Sequence, residues 1–265
     1  MTLPTFIGDF INMADSGTAM GWHERNGGNL SYRCTETDIA TAREITIKGG
    51  EWIPAGIDVP GLAGEYFLIT GSGKYFSNIK SDPVRNIGLI QTDGSNYRIL
   101  WGLEGGATPT SELPTHLMNH EVKKRVSGGS HRVIYHAHTP NIIALTFVLP
   151  LDGAVFTREL WEMATECPVV FPGGVGVVEW KVPGGREIAE ATSRLMERHD
   201  VAVWAHHGMF VSGATLDETF GLMHTVEKAA EILVKVLSMG GKRQTITAAQ
   251  FDELAEAFGV GLTDF

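Results

Sequence analysis

Apolar positions recur along the chain with two different periods, and the two alternate from N- to C-terminus. Phe6, Phe10, Met13 and Ala14 fall at helical spacing over residues 5–20, with Gly21 as a stop. Leu30-Ser-Tyr-Arg-Cys34 alternates as a strand does, and Glu65–Thr70 reads as a buried strand closed by Gly71-Ser-Gly-Lys74. Asp82-Pro83 marks a turn, and Asn86–Thr92 and Tyr97–Trp101 flank Asp93-Gly94, a hairpin signal. Thr110-Ser-Glu-Leu-Pro114 opens a helix that runs on through Leu117, Met118, His120 and Val122. Pro114 fits only its first turn, where the missing N–H costs nothing.

The strand Val133–His138 follows, then helical segments near 141–148 and 158–165, and short strands at Pro168–Pro172 and Val175–Val178. Ile188, Ala191 and Leu195 share a face over 186–198, which predicts a helix. Val201–Trp204 is a strand with His207 beyond its end. Thr215-Leu-Asp-Glu218 reads as a capping box ahead of a long helix that carries Phe220, Met223, Ala230, Leu233 and Leu237 and stops at Gly240-Gly241. Thr247-Ala-Ala-Gln250 caps a last short helix. Hairpin strands mixed with helices predict a layered α/β fold whose sheet is at least partly antiparallel.

At 265 residues, 43% of them hydrophobic, the chain is long enough for a full core. No linker, charge block, internal repeat or low-complexity segment divides it, so a single domain over 1–265 is expected. The net charge of −10 excludes a nucleic-acid footprint and an anionic membrane surface as partners. It does not exclude a phosphorylated small molecule, which backbone N–H groups bind locally. Cys34 and Cys167 form no Cys-x-x-Cys pair, so neither a disulfide framework nor a thiolate metal site is indicated. The first ten residues lack the basic and apolar regions of a signal peptide, and no apolar run reaches the ~18 residues of a membrane span. A soluble cytoplasmic protein is the expectation.

Candidate chemistry centres on histidine. His136 and His138 stand at i and i+2 of an apolar strand, so both imidazoles project to one face. If His207 joins them, three imidazoles with one open position make the ligand set of a catalytic zinc ion. Any single one of the 10 histidines has an ordinary reading as a surface or hydrogen-bonded core residue, and His206 falls on the opposite face by alternation. Glu112, at a helix start, has two open readings. It is either a cap stabilised by the helix N-terminus, or a general base and displaceable fourth ligand. Glu166 is a lone acid beside apolar strand residues. Asn26-Gly-Gly-Asn29 and Thr70-Gly-Ser-Gly-Lys74 are tight turns or phosphate-binding nests, and neither matches a Walker A or Gly-x-Gly-x-x-Gly loop. Thr110 and Ser111 would add donors at a helix N-terminus.

Taken in order, Asn26-Gly-Gly-Asn-Leu30, Thr70-Gly-Ser-Gly-Lys74, Thr110-Ser-Glu-Leu-Pro-x-His116, His136-x-His-x-x-Asn141, Trp161-Glu-x-x-Thr-Glu166, His207-Gly208 and Leu216-Asp-Glu-Thr-Phe-Gly221 resemble the class II sugar-phosphate aldolases of the aldolase/adducin-head superfamily, and within it the rhamnulose-phosphate branch. The resemblance covers about residues 20–260. It implies a three-layer α/β/α fold around a mainly antiparallel sheet, and a homotetramer with one Zn2+ per subunit near subunit interfaces. It implies that His136, His138 and His207 bind the zinc and that Glu112 is the catalytic carboxylate. Asn26, Gly28, Asn29, Ser72, Gly73, Thr110 and Ser111 would hold the substrate phosphate, and Glu166 would be a second acid/base reaching a neighbouring subunit's site. The implied reaction is reversible cleavage of L-rhamnulose 1-phosphate to dihydroxyacetone phosphate and L-lactaldehyde. Two alternatives stay open: a fuculose-phosphate aldolase or pentulose-phosphate 4-epimerase of the same superfamily, and a metal-free interaction module of the adducin-head kind.

Overall fold

A computed structural model describes residues 3–46 and 50–263. In chain order the elements are α1 (Thr5–Ala19), β1 (Asn29–Arg33), α2 (Glu36–Thr41), β2 (Ile53–Pro54), β3 (Tyr66–Thr70), α3 (Pro83–Asn86), β4 (Ile87–Thr92) and β5 (Asn96–Gly102). Then come α4 (Leu113–Val126), β6 (Val133–Ala137), α5 (Pro140–Leu145), α6 (Gly153–Trp161), α7 (Cys167–Val170), β7 (Val175–Val178) and α8 (Arg186–Met196). The chain closes with β8 (Val201–Trp204), β9 (Gly208–Gly213), α9 (Leu216–Ser238) and α10 (Ala248–Phe258).

The strands form one nine-stranded sheet in the order β2-β5-β4-β3-β1-β6-β9-β8-β7. The sheet is mixed: β7 lies parallel to β8, joined by the α8 crossover, while the other neighbours pair antiparallel as expected. Alternation sorts the central strands onto two faces. Val133, Tyr135, Ala137, Val203, Met209 and Val211 enter one apolar cluster with residues of α1, α6 and α9. Ile134, Ala202, Trp204 and Phe210 enter another with Ile188 and Met196 of α8. Each fully buried large apolar side chain contributes about 1.5–3 kcal/mol. A one-residue slip would turn both sets around, so the register is strongly specified.

Several elements differ from the sequence expectation. Pro168–Pro172 is not a strand, because Cys167–Val170 turns into a short helix. Pro168 has no N–H to give a ladder, its fixed φ suits a first helical turn, and the N–H groups of Val169 and Val170 bond back to the Glu166 carbonyl at 3.1 and 2.9 Å. The helix expected near 158–165 starts earlier, at Gly153, where Asp152 accepts from the Val155 N–H at 3.0 Å. Strands β2 and β9 were unforeseen, and β9 returns from β8 through the three-residue turn 205–207 with His206 at φ 60. Among the described residues no helix is long and apolar enough to cross a membrane.

The topology brings the C-terminal end of β6, the β8–β9 turn, the loop before β1 and the N-terminus of α4 to one place. Leu113 and Leu117 anchor α4 in a third cluster, with Phe67 and Ile69 of β3 and Ile90 of β4.

Candidate metal centre and carboxylate

His136 lies within β6, opposite Asn29 of β1 and Phe210 of β9, and His138 follows the strand end. His207 sits in the β8–β9 turn, its N–H bonded to the Trp204 carbonyl at 3.1 Å. One ring nitrogen from each of the three lies within 4.8 Å of the other two. His206 points away, its backbone N–H donating to the Thr146 hydroxyl at 3.0 Å and its ring packing on Phe147.

The outer nitrogens of two rings are occupied. Nδ1 of His136 faces the Met209 carbonyl at 3.1 Å, and Nδ1 of His138 faces Oε1 of Glu24 at 2.6 Å. Carbonyl and carboxylate only accept, so each Nδ1 carries the proton and each Nε2 presents a lone pair inward. Nε2 of His136 is buried without a hydrogen-bond partner among the described residues, and Nε2 of His138 stands 3.1 Å from Nε2 of His207. Two nitrogens on one tetrahedral zinc lie about 3.3–3.4 Å apart, given bonds of 2.0–2.1 Å. Burial and the neighbouring imidazoles push His136 well below the usual histidine range, and burial with the nearby His138 ring pushes His207 down to about 4. Both are therefore neutral near pH 7, the form that binds a cation. An orphaned buried lone pair beside two further imidazoles, with the outer nitrogens of His136 and His138 tethered, fits a divalent metal.

Glu112 is 6% exposed and makes no capping bond, although it occupies the N-cap of α4. Its Oε2 accepts from Nδ2 of Asn29 at 2.9 Å and lies 4.0 Å from Nε2 of His136. Burial raises its pKa, against the lowering effect of the Asn29 bond, which makes the carboxylate a stronger base. The loops are held together by backbone. The Thr110 N–H bonds to the Thr70 carbonyl at 2.9 Å and the Ser72 N–H to the Thr108 carbonyl at 2.8 Å, which sets the glycine loop beside the α4 N-terminus.

A cavity of about 340 Å³ opens over this group, lined by Asn26, Gly28, Asn29, Gly73, Thr110, Ser111, Glu112 and the three histidines. Gly28 needs its missing side chain: φ is 75°, and a Cβ would lie 2.6 Å from the His136 carbonyl. Asn29 lines the cavity, but its amide is engaged by Glu112 and His116. Ser72 is half-buried beside the loop and outside this lining, and Glu166 is exposed at the N-terminus of α7, away from the cavity of its own chain.

Glu24, Arg25 and Pro183 also line the cavity and were not foreseen. Glu24 and Arg25 adjoin the Asn26-Gly-Gly-Asn29 motif, and that adjacency was the available signal. Pro183, in the β7–α8 connection, had none.

Known proteins share this architecture. The profile of the class II aldolase and adducin N-terminal domain matches residues 9–234. The rhamnulose-1-phosphate aldolase of Mannheimia succiniciproducens is 53% identical over 91% of this chain and 89% of its own, and that of Shigella boydii serotype 4 is 48% identical over 98% and 96%. A sugar-phosphate aldolase from Thermotoga maritima superposes with a TM-score of 0.78 at 30% identity, covering 90% of this chain and 97% of that one. With a family profile spanning most of its length, and relatives matched nearly end to end, the chain belongs to the class II aldolase and adducin N-terminal domain family.

Proposed function

We propose that this protein catalyses the reversible, metal-dependent cleavage of L-rhamnulose 1-phosphate to dihydroxyacetone phosphate and L-lactaldehyde, the activity named for relatives 48–53% identical to it. The observation that carries the chemistry is the approach of a buried carboxylate to within 4.0 Å of an unpartnered imidazole nitrogen in a group of three histidines. His136, His138 and His207 would hold one Zn2+ per subunit. Bound there, the cation would supply positive charge against the C2 carbonyl and C3 hydroxyl oxygens, as charge collects on the C2–C3 unit when the C3–C4 bond breaks.

The rest falls to side chains and loops. Asn26, Gly28, Ser72, Gly73, Thr110 and Ser111 bind the phosphate through backbone and hydroxyl donors, with Arg25 adding a guanidinium on the same wall. Fixing that end turns binding energy into alignment of the reacting carbons. Glu112 delivers the proton to C3 during cleavage and removes it during synthesis. Asn29 serves as a partner of Glu112 more than of phosphate, since one amide hydrogen is already committed. Glu166 is exposed, which suits service in a neighbouring subunit of a homotetramer, where it would take the proton from the C4 hydroxyl. The two apolar clusters on opposite faces of the sheet support the three-layer α/β/α reading, and cytoplasmic residence belongs to the same picture.

The test is a cleavage assay on L-rhamnulose 1-phosphate with product identification, alongside metal analysis before and after a chelator. Stoichiometric zinc, loss of activity on its removal and recovery on re-addition are expected. His136→Ala should lose both metal and cleavage. Full activity in metal-free protein would refute the reading, and preference for the fuculose isomer would move it to the sister aldolases.

A further inference from the structure

Behind Glu112 lies a buried polar chain that the reaction above does not use. Asn29 and Ser31 are i and i+2 on β1, and His116 and His120 are i and i+4 on α4. The two repeats advance about 6.6 and 6.0 Å, so the pairs stand opposite one another. All four residues are at most 6% exposed. Nδ2 of Asn29 donates to Oε2 of Glu112 at 2.9 Å, and the amide's other end, Oδ1, meets Nε2 of His116 in a short contact. Nδ1 of His116 meets Oγ of Ser31 at 2.6 Å, and the same oxygen meets Nε2 of His120 at 2.8 Å.

Proton counting leaves one self-consistent direction. A carboxylate only accepts, so Nδ2 donates to it. Oδ1 only accepts, so His116 carries its proton on Nε2. Nδ1 of His116 then accepts from the Ser31 hydroxyl, and Ser31 accepts from Nε2–H of His120. The chain ends there, because Nδ1 of His120 is buried without a partner among the described residues. In this direction the blind end is a bare acceptor. In the reverse direction it would be an orphaned N–H, which folded proteins tolerate less, and the amide oxygen would face the carboxylate oxygen. Both histidines are held neutral by burial, His116 down to about 3. His120 is further depressed by the neighbouring His116 ring and by the charges of Arg33 and Arg132.

We propose that His120, Ser31 and His116 are positioning residues that form a one-way donor chain, turning the Asn29 amide nitrogen onto Glu112 and pinning one carboxylate oxygen so that the other is presented to the substrate. The inference rests on Glu112 carrying the C3 proton, as proposed above.

The first test uses the intact metal-loaded protein and no mutation. Nitrogen-15 spectra of histidine-labelled protein should show His116 and His120 as neutral Nε2–H tautomers, and an Nδ1–H tautomer at His116 would overturn the proposal. The second is kinetic. His116→Leu removes the donor to Asn29 and frees the amide to turn over. A hydrogen bond to a charged group sets the scale at about tenfold or more in kcat, with KM and metal content near parental values. His116→Gln places an amide N–H where Nε2 stood and should recover most of that loss. A parental kcat in the leucine variant, or no recovery in a folded, metal-replete glutamine variant, would also overturn it. If the leucine variant does not fold, the tautomer spectra still decide. A parent protein that fails to cleave the substrate would sink the functional reading alone and leave the tautomer result standing.

Discussion

Removing the Glu24 side chain isolates the contribution of one outer contact to metal affinity. Oε1 of Glu24 is 2.6 Å from Nδ1 of His138, and it fixes both the tautomer and the ring plane of a proposed ligand. The carboxylate is 65% exposed, so Glu24→Ala opens no cavity and should leave the fold within about 0.5 kcal/mol of the parent. Loss of such a partner typically weakens metal binding 10–100-fold. Exposure points to the lower end, because water replaces the lost acceptor and solvent already screens the charge. The expected outcome is therefore about a tenfold rise in the metal Kd, or about 1.4 kcal/mol. Glu24→Gln should fall between, since its amide oxygen still accepts but carries no charge. Zinc titration against a competing chromophoric chelator measures the change, with a melting curve as the control for folding. A folded Glu24→Ala protein with parental affinity would show that β6 and its neighbours orient His138 unaided.

Gly208→Ala should be costly. A Cβ would lie 2.3 Å from the Ala137 carbonyl, so β6 and β9 would have to part beside two proposed ligands. Overpacking of this kind costs about 1–3 kcal/mol, or a fall in Tm of roughly 2–12 °C with weaker metal binding. Calorimetry checks it, and an unchanged Tm would mean that the strand ends yield freely. Acid should destabilise the metal-free protein. Burial holds His116 at about 3 and His23 at about 4, while both start from 6.5 when unfolded. The unfolded chain then binds more protons below pH 6.5, so stability is full above that value and lost as pH falls towards 4. Tm values at pH 7, 6 and 5 should decline, and a flat series would refute the buried neutral state.

Periodicity located most helices and strands, because each needs one face turned to a core and the apolar spacing records that need. It failed where a few residues carry two meanings. Pro168-Val-Val-Phe is β-prone in composition, yet Pro168 and the Glu166 carbonyl made it a helical turn. At the site, the His-x-His spacing placed two rings on one side of β6 from sequence alone. Glu112 was ambiguous because an N-cap acid and a buried base look identical in the chain, and only the Asn29 contact in place of a cap separates them. The partner role of Glu24 was invisible because 114 positions separate it from His138.

Local pattern by itself determined the α/β class, the hairpin at Asp93-Gly94, the capped long helix α9 and the residue types able to bind a cation and a phosphate. These depend on neighbours within a few positions, where backbone geometry is set by the residues themselves. Tertiary structure alone decided that β7 and β8 run parallel, that β9 folds back to carry His207 to His138, and that α4 lies with Glu112 over His136 and its histidines over β1. Those outcomes come from burying two faces of one sheet at once, a condition on residues scattered along the chain that no short window contains.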